Sequence, residues 1–287
     1  MRAFDFFILT LCCFVWGSNF VISKWMLTDL AIPPLFFAAV RFGVVAILLA
    51  KFLFPIPKGF VRLCMAGICV GAVHLAFLYT GLKTAPASSG SIVAQMQIPF
   101  VVLLSVVFLG ERIGLWRTLG IIGAMAGVVI LVYDPGALGF DTGLIYIILS
   151  YLSLAVGAVL IKGVGDIGPM QYVAWMGVLA VPILGLGSFL FEANQITLGV
   201  AAGWKMGFGI AFCVLATSIF AHGQYFRLLK RYDVSMVVPL TLMIPFWAVL
   251  QGVLIRGEPL GPRFLLGAAF ILVSVYVIAK RTRSTED

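Results

Sequence analysis

One long stretch of this sequence occurs twice, and both copies are almost wholly apolar. Residues 79–133 reappear as residues 225–279 at an offset of 146 positions, which becomes 147 after one inserted residue. Each copy has a proline midway along its first apolar run, Pro99 in the first and Pro245 in the second. A repeat of this length is far longer than the unit of a solenoid, and its apolar runs indicate two equivalent halves of a membrane protein.

The composition agrees with a membrane protein. Of the 287 residues, 62% are hydrophobic and only 10% are charged, with a mean hydropathy of +1.15. Soluble domains carry about 25% charged residues, so these residues cannot cover a water-soluble surface. The chain is therefore expected to be an all-α integral membrane protein.

A bilayer-spanning helix needs about 20 mostly apolar residues. Ten segments meet this requirement, and the short, proline-containing stretches between them leave no room for a soluble domain. The predicted spans are approximately 6–27, 33–53, 60–82, 86–109, 116–133, 141–162, 168–190, 203–228, 235–255 and 262–280.

Lys and Arg are enriched in cytoplasmic loops, so their distribution predicts the orientation. With the N-terminus inside, the inner segments hold thirteen of them and the outer segments five, while Arg41 lies within a span. This predicts a multi-pass protein of a bacterial-type cytoplasmic (inner) membrane with both termini in the cytoplasm. The net charge of +8 then reflects orientation, and a nucleic-acid partner has little support.

Five spans fall in each half of the chain, at residues 1–134 and 135–287. Because five is odd, the second half is expected to lie upside down relative to the first. Inverted repeats of this kind place a binding site near the bilayer midplane, at the interface between the halves.

The motifs of nucleotide-binding proteins, hydrolases and metalloenzymes do not fit this chain. The glycines of residues 163–168 spell a dinucleotide fingerprint, but a transmembrane run precedes them and Pro169 follows, where the fingerprint requires a strand and a helix. There is no HExxH, nucleophile elbow or P-loop, and the five cysteines lack metal-ligand spacing. We expect no enzyme activity, catalytic residue, metal or cofactor, and we expect a gradient or a partner to drive any transport.

Arg41 is the most unusual residue of the spans. It lies roughly 12 Å into the second span by helical rise, where an arginine costs about 2.5 to 3.5 kcal/mol on insertion scales. Two roles fit this position: contact with an anionic substrate group such as a carboxylate, or a structural role in which backbone carbonyls cap the guanidinium.

Both prolines lie beside a polar residue at membrane depth. A proline inside a helix frees the carbonyl four residues earlier, and those residues are Gln95 and Thr241. This recurrence predicts two hinges, at Pro99 and Pro245, next to a cavity that Gln95 and Thr241 line, although a purely structural kink is also common in membrane helices.

Further polar and aromatic residues within the spans are candidates for contact with a small-molecule substrate. Any single one of them could instead serve packing or form part of the aromatic belt. They are Trp16, Asn19, His74, Tyr79, Tyr151, Trp175, His222 and Gln224.

Each repeat ends its proline-containing span with the same pair, Gly110-Glu111 in the first and Gly257-Glu258 in the second. At such helix ends the two glutamates are expected to have a structural or gating role. No acidic residue lies deep in a span, which weakens a carboxylate-based proton exchange. Protons remain a candidate coupling ion, with His74 or His222 as the titrating group.

Several of these motifs together resemble the EamA branch of the drug/metabolite transporter superfamily, and the resemblance covers essentially the whole chain. They are residues 16–20 (WGSNF), residues 41–42 (RF), the proline-centred fourth and ninth spans and the Gly-Glu ends. The resemblance implies ten transmembrane helices as two inverted five-helix repeats, a central cavity and export of small metabolites.

Residues 228–233 (LLKRYD) and 238–240 (VPL) are similar to branch members that export amino acids and their metabolites, such as cysteine and O-acetylserine. The chain departs from the family at residues 257–259, which read Gly-Glu-Pro where Glu-Arg is usual. We therefore expect a monomeric exporter of amino acids or their derivatives that works by alternating access. An exporter of aromatic amino acids or cationic drugs, a sugar-phosphate exchanger and a non-transporting membrane protein stay open at this point.

Overall fold

The computed structural model describes residues 1–110, 113–134, 139–161, 163–165, 167–232, 236–237 and 240–280. Ten apolar helices dominate these ranges, and eight of them are long and apolar enough to cross a membrane. The ten are α1 (Ala3–Thr28), α2 (Pro34–Leu48), α3 (Phe60–Thr84), α4 (Ala87–Phe108), α5 (Leu115–Val132), α6 (Thr142–Ile161), α7 (Pro169–Phe191), α8 (Trp204–Leu229), α9 (Met243–Arg256) and α10 (Pro262–Lys280).

The predicted all-α membrane fold is confirmed, and the largest differences from the predicted spans are at the ends of two helices. Helix α2 stops at Leu48 and is followed by the 3₁₀ turn Ala50–Phe52, where the sequence predicted a span to residue 53. Helix α9 begins at Met243, two residues before Pro245 and directly after a turn at residues 241–242, so the predicted span 235–255 is interrupted. A proline fits best in the first turn of a helix, where its missing amide has no intrahelical partner to lose.

Short irregular elements connect the helices. Tyr133–Asp134 pairs with Gly139–Phe140 as a two-residue antiparallel ladder between α5 and α6. The helix Gln195–Ala202 lies between α7 and α8.

Helices α3 and α8 each contain a π-helical segment, in which every turn holds an extra residue. The segments are Ile68–Val73 in α3 and Phe212–Ala221 in α8. When the 146-residue offset is continued back along α3 from residue 79, the first segment corresponds to residues 214–219, inside the second. The two halves therefore share this irregularity at equivalent positions.

Helix packing follows the same correspondence. Among the described contacts, α2 packs on α7, α4 on α9 and α5 on α10, so each of these helices meets its own counterpart. Helix α1 packs on α9 and α8, and its counterpart α6 packs on the corresponding α4 and α3. Exchanging the two halves thus maps the main contacts onto one another.

Glycines allow the backbones to approach closely at these crossings. A Cβ at Gly267 would lie 2.6 Å from Leu131 Cγ, and one at Gly120 would lie 2.7 Å from Ile278 Cγ1. Both glycines lie in the α5–α10 contact. Small residues at helix crossings are typical of membrane bundles, where close packing holds the helices together.

Large apolar side chains cover the outside of the bundle, as a lipid-facing surface requires. Phe108, Phe189 and Leu254 are each at least 70% exposed, while Asn19, Arg41 and other polar side chains lie inside. The polar residues of the spans consequently face the interior of the protein.

Candidate functional site

The guanidinium of Arg41 lies in the interior of the bundle, at the eighth residue of α2. Only 6% of the residue is exposed. Its Nη1 donates to Tyr79 Oη on α3 at 2.5 Å, and its Nη2 donates to Ser218 Oγ on α8 at 3.2 Å. Both acceptors are neutral hydroxyls, Nε is buried without a partner, and no carboxylate of the described residues forms an ion pair with Arg41.

The π-helical segment of α8 brings further polar groups beside Arg41. Asn19 Oδ1 on α1 lies 3.4 Å from both Thr217 Oγ1 and Cys213 Sγ, which donate to it. Ser218 Oγ in turn donates to the Cys213 carbonyl at 3.1 Å. A widened helical turn leaves side chains and carbonyls in positions that a regular helix would not offer.

Aromatic rings border this group on the α8 side. His222 Nδ1 lies 2.7 Å from the Thr217 carbonyl, and the Trp16 ring meets the rings of His222 and Tyr225 edge to face at 5.3 Å. We call Asn19, Arg41, Tyr79, Thr217 and Ser218 the Arg41 cluster. The structure thus brings five of the sequence-predicted residues close together: Trp16, Asn19, Arg41, Tyr79 and His222.

His74 and Tyr151 form a second polar contact, between α3 and α6. Ser150 Oγ donates to the His74 carbonyl at 2.9 Å and lies 2.6 Å from His74 Nδ1, which is 3.2 Å from the Ser150 carbonyl. The Tyr151 ring meets His74 edge to face at 5.1 Å. Since Nδ1 faces a carbonyl, this network favours a proton on Nδ1.

Three further residues that the sequence predicted as substrate contacts lie outside the Arg41 cluster and the His74–Tyr151 contact. Trp175 packs edge to face against Phe60 at 5.1 Å, and its Nε1 is buried without a partner. Gln95 is buried in the 3₁₀ stretch Ala94–Met96 of α4. Gln224 is half-buried near the end of α8.

The two prolines occupy equivalent positions. Each is the third residue of a regular helical segment, Gln97–Leu109 or Met243–Arg256, and an irregular turn precedes each. The carbonyl that Pro245 cannot use belongs to Thr241, and it accepts instead from the Ile244 amide at 2.9 Å.

A left-handed glycine ends both proline-containing helices. Gly110 has φ +68° and Gly257 has φ +66°, a conformation that only glycine adopts without strain. Glu111, which follows Gly110, lies outside the described residues.

Glu258 caps the first turn of α4. Its Oε1 accepts from the Ala87 amide at 2.8 Å, and its Oε2 accepts from the amide and the hydroxyl of Ser88. A carboxylate at a helix N-terminus satisfies free amides and complements the helix dipole. Glu258 therefore ties the end of α9 to the start of α4.

Glu192 makes the same kind of cap, which the sequence did not reveal. It accepts from the amides of Leu35 and Phe36 at 2.7 and 2.9 Å and thereby caps α2 from the end of α7. Ser150, Thr217 and Ser218 were also missed. A serine or threonine inside an apolar run gives no sign of its partner on another helix.

Ion pairs hold α1 at both of its ends. At the first end, the 2%-exposed Asp5 lies 3.5 Å from Arg227 and 3.3 Å from Arg231, and it accepts from Tyr232 Oη at 2.7 Å. At the other end, Asp29 accepts from both terminal nitrogens of Arg256 at 2.9 and 3.0 Å. The hydrogen bond from Arg256 lowers the pKa of Asp29 below its ordinary value of 3.8.

No group of three His, Cys, Asp or Glu side chains within the described ranges is placed to hold a metal ion. Ten apolar helices, with polar groups turned inward and lipid-like surfaces outward, define a multi-pass integral membrane protein whose distinctive chemistry lies inside the bundle.

The family follows from the sequence comparison. The chain matches the EamA-like transporter family over residues 4–133 and again over residues 141–280. It therefore belongs to this family, and it is a membrane transporter of small molecules and not an enzyme.

Two curated relatives extend over nearly the whole chain. A protein of Salmonella typhimurium named probable amino-acid metabolite efflux pump is 29% identical and covers 95% of this chain and 94% of its own length. A protein of Escherichia coli with the same name is 28% identical, over 92% of this chain and 90% of its own. A solved crystal structure covers 100% of this chain and 99% of its own with a TM-score of 0.60 at 20% identity, which supports the fold.

Proposed function

We propose that this transporter exports small metabolites, with amino acids or amino-acid derivatives as its cargo. It works as a monomer in a bacterial-type inner membrane with both termini in the cytoplasm. The halves 1–134 and 135–287 move against each other, so that a site near the midplane opens first to the cytoplasm and then to the outside.

The observation that carries this proposal is the unpaired charge of Arg41. A buried cation is normally paired with a carboxylate, because hydroxyl groups return only part of the lost hydration. Arg41 has two hydroxyl partners and a buried Nε without one. A carboxylate suits such a guanidinium well, since charge-assisted hydrogen bonds are about twice as strong as neutral ones.

The surroundings of Arg41 suit the rest of an amino acid. Asn19 Oδ1 and the Thr217 carbonyl are acceptors within the same group of residues and complement an amino group. The rings of Trp16, His222 and Tyr225 border the cluster and offer an apolar contact for a side chain. The names of the two bacterial relatives point to the same class of cargo.

The remaining predicted residues take part in the movement or line the path. Pro99 and Pro245 supply the bends, and Gln95 and Thr241 lie next to them. His74 and His222 are the groups that would titrate if protons are the coupling ion. Tyr151, Trp175 and Gln224 are candidate contacts along the path.

The test is efflux from proteoliposomes that hold the purified protein and are loaded with radiolabelled amino acids and related metabolites, with and without a pH gradient. The Arg41→Gln variant should lose at least about tenfold in flux, which corresponds to about 1.4 kcal/mol of binding. Arg41→Lys keeps the charge but not the planar fork, so it should retain part of the flux.

Folding is monitored by size-exclusion chromatography, so that loss of flux is separated from loss of protein. Wild-type flux in folded Arg41→Gln would exclude Arg41 from cargo binding. Absence of wild-type flux for every amino acid in the panel would refute the cargo class.

The aromatic border of the cluster also favours a second candidate, an exporter of aromatic amino acids. Phenylalanine should then compete with the labelled cargo. A cationic drug fits less well, because Arg41 would repel it, and competition by a quaternary amine would show that cargo instead. A sugar phosphate usually needs two or more cations, and among the described side chains Arg41 is the one Lys or Arg that is buried.

A further inference from the structure

A cleft of about 350 Å³ opens on the lipid-facing surface where the start of α3 meets the ends of α4 and α6. Its walls are apolar side chains of α4 and α6, among them Leu104, Phe108 and Leu160. Arg62 and Gly163 line it as well. In membrane proteins such a groove is in contact with lipid chains, and a long cationic side chain at its end reaches the headgroup level.

Arg62 is an exposed cation whose hydrogen-bonding capacity is largely unused by the residues that the structure describes. Its described partner is the Gly163 carbonyl, at a long Nη1–O distance of 3.5 Å, and it forms no ion pair with a carboxylate among the described side chains. Lys58, also exposed, lies next to the same loop, since its carbonyl accepts from the Gly165 amide at 3.4 Å. Lys162 and Asp166 lie outside the described residues.

We propose that this cleft binds one anionic phospholipid. The phosphate lies on Arg62 and Lys58, and one acyl chain lies between α4 and α6 along Leu104 and Leu160. A guanidinium and an ammonium at the end of an apolar groove match the two parts of such a lipid, and polybasic positions near the membrane surface attract anionic headgroups.

The corresponding positions of the other half hold aromatic residues in place of both cations. Continued back from residues 79–133, the 146-residue offset places Phe208 opposite Arg62 and Trp204 opposite Lys58. The counterparts of α4 and α6 are α9 and α1, and the cation where these two helices end, Arg256, is paired with Asp29. The bundle therefore offers the anionic-lipid site at one membrane surface, the one that carries the N-terminus.

The position of the cleft gives the lipid a mechanical role. Helix α4 belongs to the first half and α6 to the second, so a chain wedged between their ends lies on the seam along which the halves move. Bound lipid is thus expected to shift the balance between conformations by its different affinity for each.

The experiment measures lipid retention on the purified, delipidated full-length protein by native mass spectrometry. Phosphatidylglycerol and phosphatidylcholine are added in parallel. Wild-type protein should retain one phosphatidylglycerol, and the Arg62→Gln variant should bind it about tenfold more weakly. Arg62→Lys should recover part of the binding, because an ammonium still attracts the phosphate.

Lys51→Gln is the matched control, because Lys51 is an exposed cation that follows α2 and lies outside the cleft. It should bind phosphatidylglycerol as the wild type does. Equal losses of phosphatidylglycerol binding in Arg62→Gln and Lys51→Gln would show that the lipid is held by diffuse surface charge and not by this cleft. Equal retention of both lipids, or displacement of the lipid by inorganic phosphate alone, would overturn the proposal.

The result is independent of the cargo. Lipid retention is measured without transport, so its failure leaves the proposed export function standing.

Discussion

Helices α2 and α7 are the second helices of the two halves, and they pack against each other. Both begin on a proline, Pro34 in α2 and Pro169 in α7. Yet α2 carries the buried Arg41, whereas α7 contains no charged residue between Pro169 and Phe191. The same framework therefore holds two different interiors.

The difference extends beyond this pair. The prolines, the left-handed glycines, the π-helical segments and the glycines of the α5–α10 crossing occur in both halves. Within the described part of the chain, the Arg41 cluster and the cationic cleft at Arg62 occur once. This contrast indicates that duplicated features build the framework, and we expect the single features to give the transporter its chemical selectivity.

The largest expected effect comes from breaking the duplicated framework. Gly267→Val would place side-chain atoms where even a Cβ lies 2.6 Å from Leu131 Cγ and 3.0 Å from the Gly127 carbonyl. Overpacking of this kind costs about 1 to 3 kcal/mol or more, so we expect loss of monodisperse protein in size-exclusion chromatography.

Gly120→Val should be equally damaging, because its Cβ would meet Ile278 and Ser274. Gly261→Ala is the control, since nothing lies within 4 Å of its Cβ position. If only one of the two valine variants is well folded, the two halves are not structurally equivalent at this crossing.

The second largest effect is expected from comparing Tyr79 and Tyr225, which occupy equivalent positions in the two halves but make different contacts. Tyr79→Phe removes the hydroxyl that Arg41 uses and should cost about 1.5 to 3 kcal/mol, because a charged donor loses its partner. Tyr225→Phe keeps the ring contact with Trp16 and should stay near wild type. The melting temperature and the flux are measured for both variants. A defect of Tyr225→Phe as large as that of Tyr79→Phe would contradict the expected difference between the two tyrosines.

A smaller effect is expected at the two carboxylate caps. Glu258→Gln and Glu192→Gln each keep a side-chain acceptor but lose the negative charge at a helix N-terminus. Each should lower the stability by about 0.5 to 2 kcal/mol, seen as a modest fall in melting temperature. Unchanged melting in both variants would show that the caps are dispensable.

The smallest effect concerns Asp29. Its pKa is lowered in the folded protein, first by the hydrogen bond from Arg256, so the pair stabilises the protein above the ordinary pKa of 3.8. That contribution should disappear as the pH falls through the lowered folded-state pKa. Asp29→Asn should melt slightly lower near neutral pH and show a weaker loss on acidification, and an identical pH profile in both proteins would exclude the pair as a source of stability.

Much of the framework could be predicted from the sequence because a bilayer imposes a length and a polarity on every span. The ten apolar runs, the two prolines and the glycines at helix ends follow from these constraints, and the all-α membrane fold, the family and the transporter class are confirmed. The boundaries of α2 and α9 were less accurate, since proline and local turns decide where a helix ends.

The partners of the buried polar residues could not be predicted. The contacts of Arg41 with Tyr79 and Ser218 join α2, α3 and α8 across up to 177 positions of the chain. Sequence reasoning selected Arg41 and Tyr79 separately, but it had no means of finding Ser218 on a π-helical turn. Which of the selected residues contact cargo stays a prediction.

The matching π-helical segments of α3 and α8 also bear on the history of the chain. A π-helical turn can be regarded as a residue inserted into an α-helix. Two independent insertions at corresponding positions would require two events, whereas one insertion in a single ancestral five-helix unit requires only one. From this simpler account we infer that the widened turns predate a duplication of the unit, so that an ancestral unit already carried the irregular turn that now lies beside Arg41.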